Sequence, residues 1–339
     1  MPLITFTHTG MYCAAADVYI DPWRPVDRCI ITHAHSDHAR TGMGHYLCHE
    51  HSVHLLRHRL GADISVEGIP YGEVRNINGV QFSLHPAGHV IGSAQVRVEH
   101  KGEVWTISGD YKTEDDGFTP PFEVVRCHTF ITECTFGLPV YTWEPQRSIF
   151  DEINAWWRTN AAEGVATVIS AYSLGKAQRI MANVDTSIGP ILTHGAVEGC
   201  NTAIRASGIR LPETIQLTQA TDPALIKGAL VIAPGSAVDT PWANKLRPYS
   251  SGIASGWMRI RGWRRRSAVD RGFALSDHAD WPALNATVKA TGAVRVITTH
   301  GYTDQFSRWL NEQGIESHTE KTAFKGEEVP AASSEETSA

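Results

Sequence analysis

Cys29-Ile30-Ile31-Thr32-His33-Ala34-His35-Ser36-Asp37-His38 is an apolar run that ends in three histidines and an aspartate within six residues. The apolar half reads as a buried strand, so the polar half predicts chemistry concentrated at a strand end. Alternate residues of an extended loop point the same way, so His33 and His35 can reach one ion. Asp37 and His38, expected at the start of a helix, can address a second. Imidazoles with a carboxylate suit Zn²⁺ or Mn²⁺. Two other strand ends supply further ligands: His89 in Ala87-Gly88-His89-Val90-Ile91-Gly92-Ser93, and Asp110 in Ser108-Gly109-Asp110-Tyr111. Asp110 is the natural bridge, because a carboxylate has two oxygens and two neighbouring cations need negative charge between them. A lone histidine is more often a capped or solvated side chain, and His8, His45, His49, His51, His54, His58, His85, His100, His128, His194 and His318 read that way.

Outward from this run, the first third of the chain reads as short strands (Val18 to Ile20, Cys29 to Thr32, Val80 to Leu84, Gln95 to Val98, Val104 to Ser108) with a hairpin turn at Lys101-Gly102. A helix is expected over Ser52 to Leu60, with Gly61 as its stop. From about Gln146 strands alternate with helices: helix Ser148 to Arg158, strand Thr167 to Ala171, helix Leu174 to Val184, and strands Ile191 to Thr193 and Leu230 to Ala233, the pattern of a parallel α/β unit. Ala274 onward is expected to return to a strand, followed by a helix near Pro282 to Ala290, strand Val294 to Thr298 and a helix after Thr303. Residues 326–339 carry four glutamates and no cation, which predicts a disordered acidic tail.

The chain has 339 residues, 42% hydrophobic and 19% charged, long enough for one large domain or two ordinary ones. No apolar run approaches the roughly 20 residues that span a bilayer, and the N-terminus lacks the pattern of a secretory signal, so a soluble, cytoplasmic protein without a membrane partner is expected. Six cysteines without a CxxC pair argue against a zinc ribbon and against a disulfide framework. The formal net charge is −6, yet Lys245 to Arg271 holds eight cations against one acid, a local charge of +7. Arg259, Arg261, Arg264, Arg265 and Arg266 are among them, interleaved with Trp257 and Trp263. Such a segment predicts a phosphate-binding wall, with rings able to stack on unpaired bases, so that single-stranded or frayed ends are favoured. Lys176, at the start of a predicted helix, is a weaker candidate for a backbone phosphate.

The HxHxDH signature of His33 to His38, followed by AGHVIGSA and SGDY, resembles the metallo-β-lactamase superfamily. Ile131-Thr132-Glu133-Cys134-Thr135-Phe136-Gly137, Ala274-Leu275-Ser276-Asp277-His278-Ala279-Asp280 and Thr299-His300-Gly301 resemble the later motifs of its β-CASP branch, which processes nucleic acids. The phrases YIDPWRPVDRCIITHAHSDHAR, SGWM and ALSDHADW are most similar to the bacterial ligase-associated DNA exonucleases, a group also described as messenger-RNA 3′-end-processing-like factors. The resemblance implies an α/β fold, an αββα sandwich over 1–138 and 275–325 with an inserted α/β β-CASP domain over 139–274. It implies two divalent ions, Zn or Mn. His33, His35, His89 and Asp110 would hold the first; Asp37, His38, Asp110 and His300 the second, with Asp21, ahead of Asp17 as its alternative, bracing the ligand loop.

By the same resemblance a hydroxide bridging the cations would attack a phosphodiester, with His278 as general acid and Glu133 orienting it. The implied partners are nucleic acid, with DNA preferred, and a DNA ligase and helicase. The nearest rival is an RNA-processing nuclease of the same chemistry: many RNA-acting members carry an acid after the equivalent glycine, where this chain has Tyr302. A small-molecule hydrolase, such as a lactonase or thioesterase, leaves the +7 segment unexplained. A non-catalytic scaffold would have lost ligands that are all present here.

Overall fold

The computed structural model describes residues 2–238, 240–266 and 268–324; the side chains of Trp263, Arg264 and Arg266 lie outside the described residues, as does the expected acidic tail at 326–339. The chain falls into two compact units, one from Met1–Thr142, Thr202–Arg210 and Asp277–Gly326, the other from Trp143–Asn201 and Leu211–Ser276.

The first unit has two sheets among its described residues. One runs in chain order through Thr5–Phe6, Met11–Cys13, Val18–Ile20, Arg28–Ile30, His45–His49 and Val66–Ile69, antiparallel for the first three strands and parallel thereafter. The other begins as an antiparallel meander, Val74–Ile77, Val80–Pro86, Ala94–His100 and Glu103–Ile107. It continues with Thr129–Cys134, Arg295–Gly301 and Glu316–Thr319, all in parallel. Lys101 and Gly102, at φ 51° and 82°, turn the chain between two of the meander strands, as the Lys-Gly pair predicts.

Strand alternation decides where the core sits. Met11, Val18, Ile20 and Ile30 from the first sheet meet Phe82, Leu84, Val96, Val98, Ile107, Ile131 and Ile297 from the second. Phe130 and Val296, one residue out of phase, face the other way and pack with Leu284, Val288, Phe306 and Leu310 of the helices Trp281–Thr291 and Thr303–Glu312. Fully burying such a side chain contributes about 1.5–3 kcal/mol relative to leaving it in water. The helix Trp281–Thr291 has its ends written in sequence: Asp280 accepts from the Ala283 amide at 2.9 Å, Pro282 occupies the first turn and Gly292 closes the helix in the left-handed region.

The second unit holds a parallel sheet in the order Ile215–Gln216, Ile191–Thr193, Leu230–Ala233, Ala166–Ser170, Tyr249–Ala254, Arg271–Phe273. Its central strands are buried on both faces, as their continuous apolar runs require. Ile169, Leu230 and Ile232 pack against the helices Gln146–Ala162 and Lys176–Asn183, while Val168, Val231 and Ala233 pack against Leu217, Ile226 and Leu246.

Two expectations are corrected. The strand expected from Ala274 ends at Phe273, and Ala274-Leu275-Ser276 runs on as loop. Asp37 and His38 lie in a single hydrogen-bonded turn, in which the Ala39 amide donates to the His35 carbonyl at 2.8 Å, and not at the start of a helix. No helix among the described residues is long and apolar enough to cross a membrane.

Candidate metal centre

The loop after Arg28–Ile30 is held by Asp21, a buried residue in the left-handed region at φ 43°. Its Oδ1 accepts from the Thr32 amide at 2.8 Å. Its Oδ2 accepts from the Thr32 hydroxyl at 2.6 Å and lies 2.8 Å from His38 Nδ1. A carboxylate in this role only accepts, so His38 carries its proton on Nδ1 and turns Nε2 inward. Because the Thr32 hydroxyl spends its hydrogen on Asp21, it accepts from His33 Nδ1, 3.1 Å away, and His33 Nε2 is likewise left with its lone pair inward. His89 Nδ1 donates to the Asp277 carbonyl at 2.8 Å, with the same consequence. Arg59 donates to the Ala34 carbonyl and buttresses the loop from outside.

Three nitrogens converge. His35 Nδ1 lies 3.1 Å from His33 Nε2 and 3.1 Å from His89 Nε2, and these atoms with an Asp110 oxygen lie within 4.8 Å of one another. Nitrogens around one tetrahedral zinc, with bonds of about 2.0–2.1 Å, stand about 3.3 Å apart. Asp110 turns Oδ2 toward this group, 3.6 Å from His33 Nε2 and 3.8 Å from His89 Nε2. Its Oδ1 faces a second group, 3.6 Å from His38 Nε2 and 3.1 Å from His300 Nδ1. Asp37 is at the edge of that group, its Oδ2 3.9 Å from His38 Nε2. His38 Nε2 and His300 Nε2 are buried with no hydrogen-bond partner among the described residues. Buried imidazole nitrogens left so are costly unless a cation takes them, so the donor set suits divalent metal.

Backbone detail brings His300 here. The parallel strands Thr129–Cys134 and Arg295–Gly301 pair Glu133 with Thr299 and Cys134 with Gly301, so His300 is an extra, bulged residue at φ 62°. Gly301 follows at φ 91°, and a Cβ there would stand 2.3 Å from the Cys134 carbonyl oxygen. Gly109, just before Asp110, lies against Thr32, whose Cβ would be 2.7 Å from any added Cβ. Glycine at 109 thus lets the Asp110 loop close on the residue that relays Asp21 to His33.

Charge follows geometry. Burial holds His33 and His89 well below the ordinary imidazole range, the neutral form a metal needs. For His38 burial pulls the same way, but Asp110, Asp37 and Asp21 outweigh it and raise the pKa to about 10. Burial would raise Asp110 and Asp37; imidazoles facing them, His300 and His38 for the first and His38 for the second, hold both carboxyls low. Two carboxylates, Asp110 and Asp37, face His38 Nε2 and call for positive charge there, while Asp21 holds the other side of the ring.

Beside this lies a carboxylate-imidazole pair. Glu133 accepts from the amides of Tyr111 at 2.8 Å and Thr135 at 3.2 Å, and its oxygens stand 3.0 and 3.1 Å from His278 Nδ1. Atoms of Glu133, His278 and Asp110 lie within 4.8 Å of one another, and the His278 ring is 4.7 Å from that of His89.

Of the other expected residues, Arg259, Arg261 and Arg265 are exposed on the 3₁₀ turn Gly256–Arg259 and the helix Arg261–Arg266, with Arg259 3.8 Å from Glu144. Trp257 is only 9% exposed and Lys176 only 1%, its ammonium 5.2 Å from the Tyr172 ring centre, which does not fit an open base or phosphate contact. Thr32, the Asp277 carbonyl and Phe324 are the residues sequence reasoning passed over: a lone hydroxyl, a backbone oxygen and a single ring near the tail carry no motif.

No family model matches the chain. A protein described as "Probable DNA ligase", from Opitutus terrae, is 30% identical over 317 residues, 93% of this chain and 30% of that protein. "Endoribonuclease YSH1" is 31% identical over 122 residues in Eremothecium gossypii and 30% in Saccharomyces cerevisiae, in each case 35% of this chain and 16% or 15% of that protein. The chain thus spans under a third of the length of the curated relatives it matches. The crystal structure of a protein of unknown function from Enterococcus faecalis superposes with a TM-score of 0.61 at 10% identity, covering 88% of this chain and 80% of that one, a likeness of fold. The match along 93% of the chain and the shorter one to an endoribonuclease, with both imidazole groups assembled about one aspartate, fit the metallo-β-lactamase/β-CASP family that the motifs resemble.

Proposed function

We propose that the chain is a two-metal phosphodiesterase that removes nucleotides from DNA ends during end processing and repair, on an αββα sandwich interrupted by a β-CASP insert. The observation that carries this reading is Asp110, whose two oxygens face two separate imidazole groups. Two divalent cations, Zn or Mn, would activate water and neutralise charge on the phosphodiester when bound. His33, His35, His89 and Asp110 would hold one; His38, His300, Asp110 and Asp37 the other.

The protein's own part is orientation and proton supply. Asp21 and Thr32 fix the imidazole tautomers. Glu133 keeps the proton of His278 on Nδ1 and favours the charged ring. Protonated on its other nitrogen as well, His278 hands that proton to the leaving alkoxide, worth typically 10²–10⁴-fold in rate. The basic segment around Arg259, Arg261 and Arg265 would take up backbone phosphates.

The likeness to a DNA ligase along most of this chain supports DNA over RNA and a ligase partner. Likeness to "Endoribonuclease YSH1" over 122 residues supports the second reading, an RNA-processing nuclease. End-labelled single- and double-stranded DNA and matched RNA, incubated with metal-loaded protein and with His35→Ala, decide between them. We expect mononucleotide release from DNA ends, abolished in the variant. RNA cleavage with intact DNA would favour the rival, and full activity in His35→Ala would overturn both.

A further inference from the structure

Phe324 lies past the last strand and outside every motif, yet its ring stacks on His38, with centroids 4.1 Å apart and planes 11° from parallel. It also lies 6.0 Å from the His300 ring, and meets Trp23 edge-on at 5.9 Å. With Asp21, His38, Asp110, Glu133 and His300 it lines a small cavity under the centre.

The chain is brought there by design of the fold. Glu316–Thr319 pairs in parallel with the strand that ends in His300, and the Glu320 amide donates to the Thr298 carbonyl at 3.1 Å. Three residues on, the Arg40 guanidinium donates to the Ala323 carbonyl at 3.1 Å, and Arg40 itself follows the ligand loop by two residues. Both ends of the short connection are pinned, which sets Phe324 over the imidazole.

We infer that Phe324 is a positioning residue for the second cation. This rests on the two-metal reading above. An imidazole held at one point, as His38 is by Asp21, can still swing about that hydrogen bond. A parallel ring on its face removes the swing, and the His33 ring 4.2 Å away closes in as well. His38 Nε2 then stays aimed toward Asp110 Oδ1. The histidines Phe324 meets, His38 and His300, both belong to the second group, so the second ion feels its loss first.

Calorimetric titration of metal-stripped full-length protein with Mn²⁺, alongside the paramagnetic resonance signal of a coupled Mn²⁺ pair, tests this. Wild type is expected to take two ions. Phe324→Ala and Phe324→Leu are each expected to weaken the second equivalent about tenfold, the range seen for groups that orient metal ligands. The first equivalent should hold within about twofold, and Phe324→Tyr, which keeps a ring, should stay near wild type. An unchanged second equivalent in either truncated variant, or equal weakening of both equivalents, would overturn the inference. Should Phe324→Ala fail to fold, Phe324→Leu carries the comparison. Wild type taking fewer than two ions would overturn the two-metal reading itself, and this inference with it.

Discussion

Asp21 sets the protonation of two imidazoles from one position: directly for His38, and through the Thr32 hydroxyl for His33. An amide in its place presents an NH₂ to groups that need an acceptor. Asp21→Asn is therefore expected to lower Mn²⁺ affinity 10- to 100-fold while leaving the fold in place, read by titration against a chelator. An affinity equal to wild type would show that the tautomers are set elsewhere. Glu133→Gln removes the charge that stabilises protonated His278, so the alkaline limb of the rate profile should move to lower pH and the maximal rate should fall. A profile that only drops, without moving, would assign Glu133 a purely structural part. At this scale the sequence was legible where chemistry repeats at short spacing. His33, His35, Asp37 and His38 announce themselves as candidate ligands, His89 and Asp110 follow from their strand ends, and His300 was reached through the resemblance of its motif. Asp21 was reached by resemblance, since an aspartate after a strand has many uses.

Elements place those side chains through their irregularities. The bulge at His300 depends on Gly301, where any Cβ meets the Cys134 carbonyl at 2.3 Å. Gly301→Ala is expected to destabilise the protein by about 1–3 kcal/mol in urea titration, from strain at a positive φ together with the clash. A second consequence concerns the strand His45–His49. His49 is buried, stacked on Tyr71 at 3.5 Å between ring centres, and burial draws its pKa down to about 3. Unfolded, it takes up a proton near pH 6.5 that the folded state refuses, so its contribution to stability is full above that pH and is lost as pH falls toward 3. Melting temperature should thus fall between pH 6.5 and 4, less steeply in His49→Gln; parallel curves would refute the assignment. Strands and helices with strong periodicity were legible to within a few residues, as with Ile191–Thr193 and Leu230–Ala233. The turn at Asp37 and His38 was expected as a helix start, and the stretch from Ala274 as a strand; both are short segments in which local pattern does not fix the backbone.

For the whole molecule, a net charge of −6 stands beside one segment of +7, the contrast on which the proposed nucleic-acid contact rests. Arg259, Arg261 and Arg265 are exposed, and replacing all three by Gln should weaken single-strand binding and flatten its salt dependence by about 0.7 per lost phosphate contact. An unchanged salt slope would place the strand elsewhere. Composition showed the charge but not the burial: Lys176 and Trp257 belonged to the expected interface and lie inside. The α/β organisation was legible because strand and helix periods differ. That segments nearly 270 residues apart, from His33 to His300, come to one aspartate was expected from the resemblance alone, since spacing along the chain does not determine tertiary pairing. On the proposed reading, a pair of ions ties these residues together. Anomalous diffraction from crystals grown with Mn²⁺ measures it directly: two peaks about 3.5–4 Å apart should flank the Asp110 carboxylate, one among His33, His35 and His89, the other beside His38 and His300. No peak at Asp110, or a single one remote from these imidazoles, would contradict it.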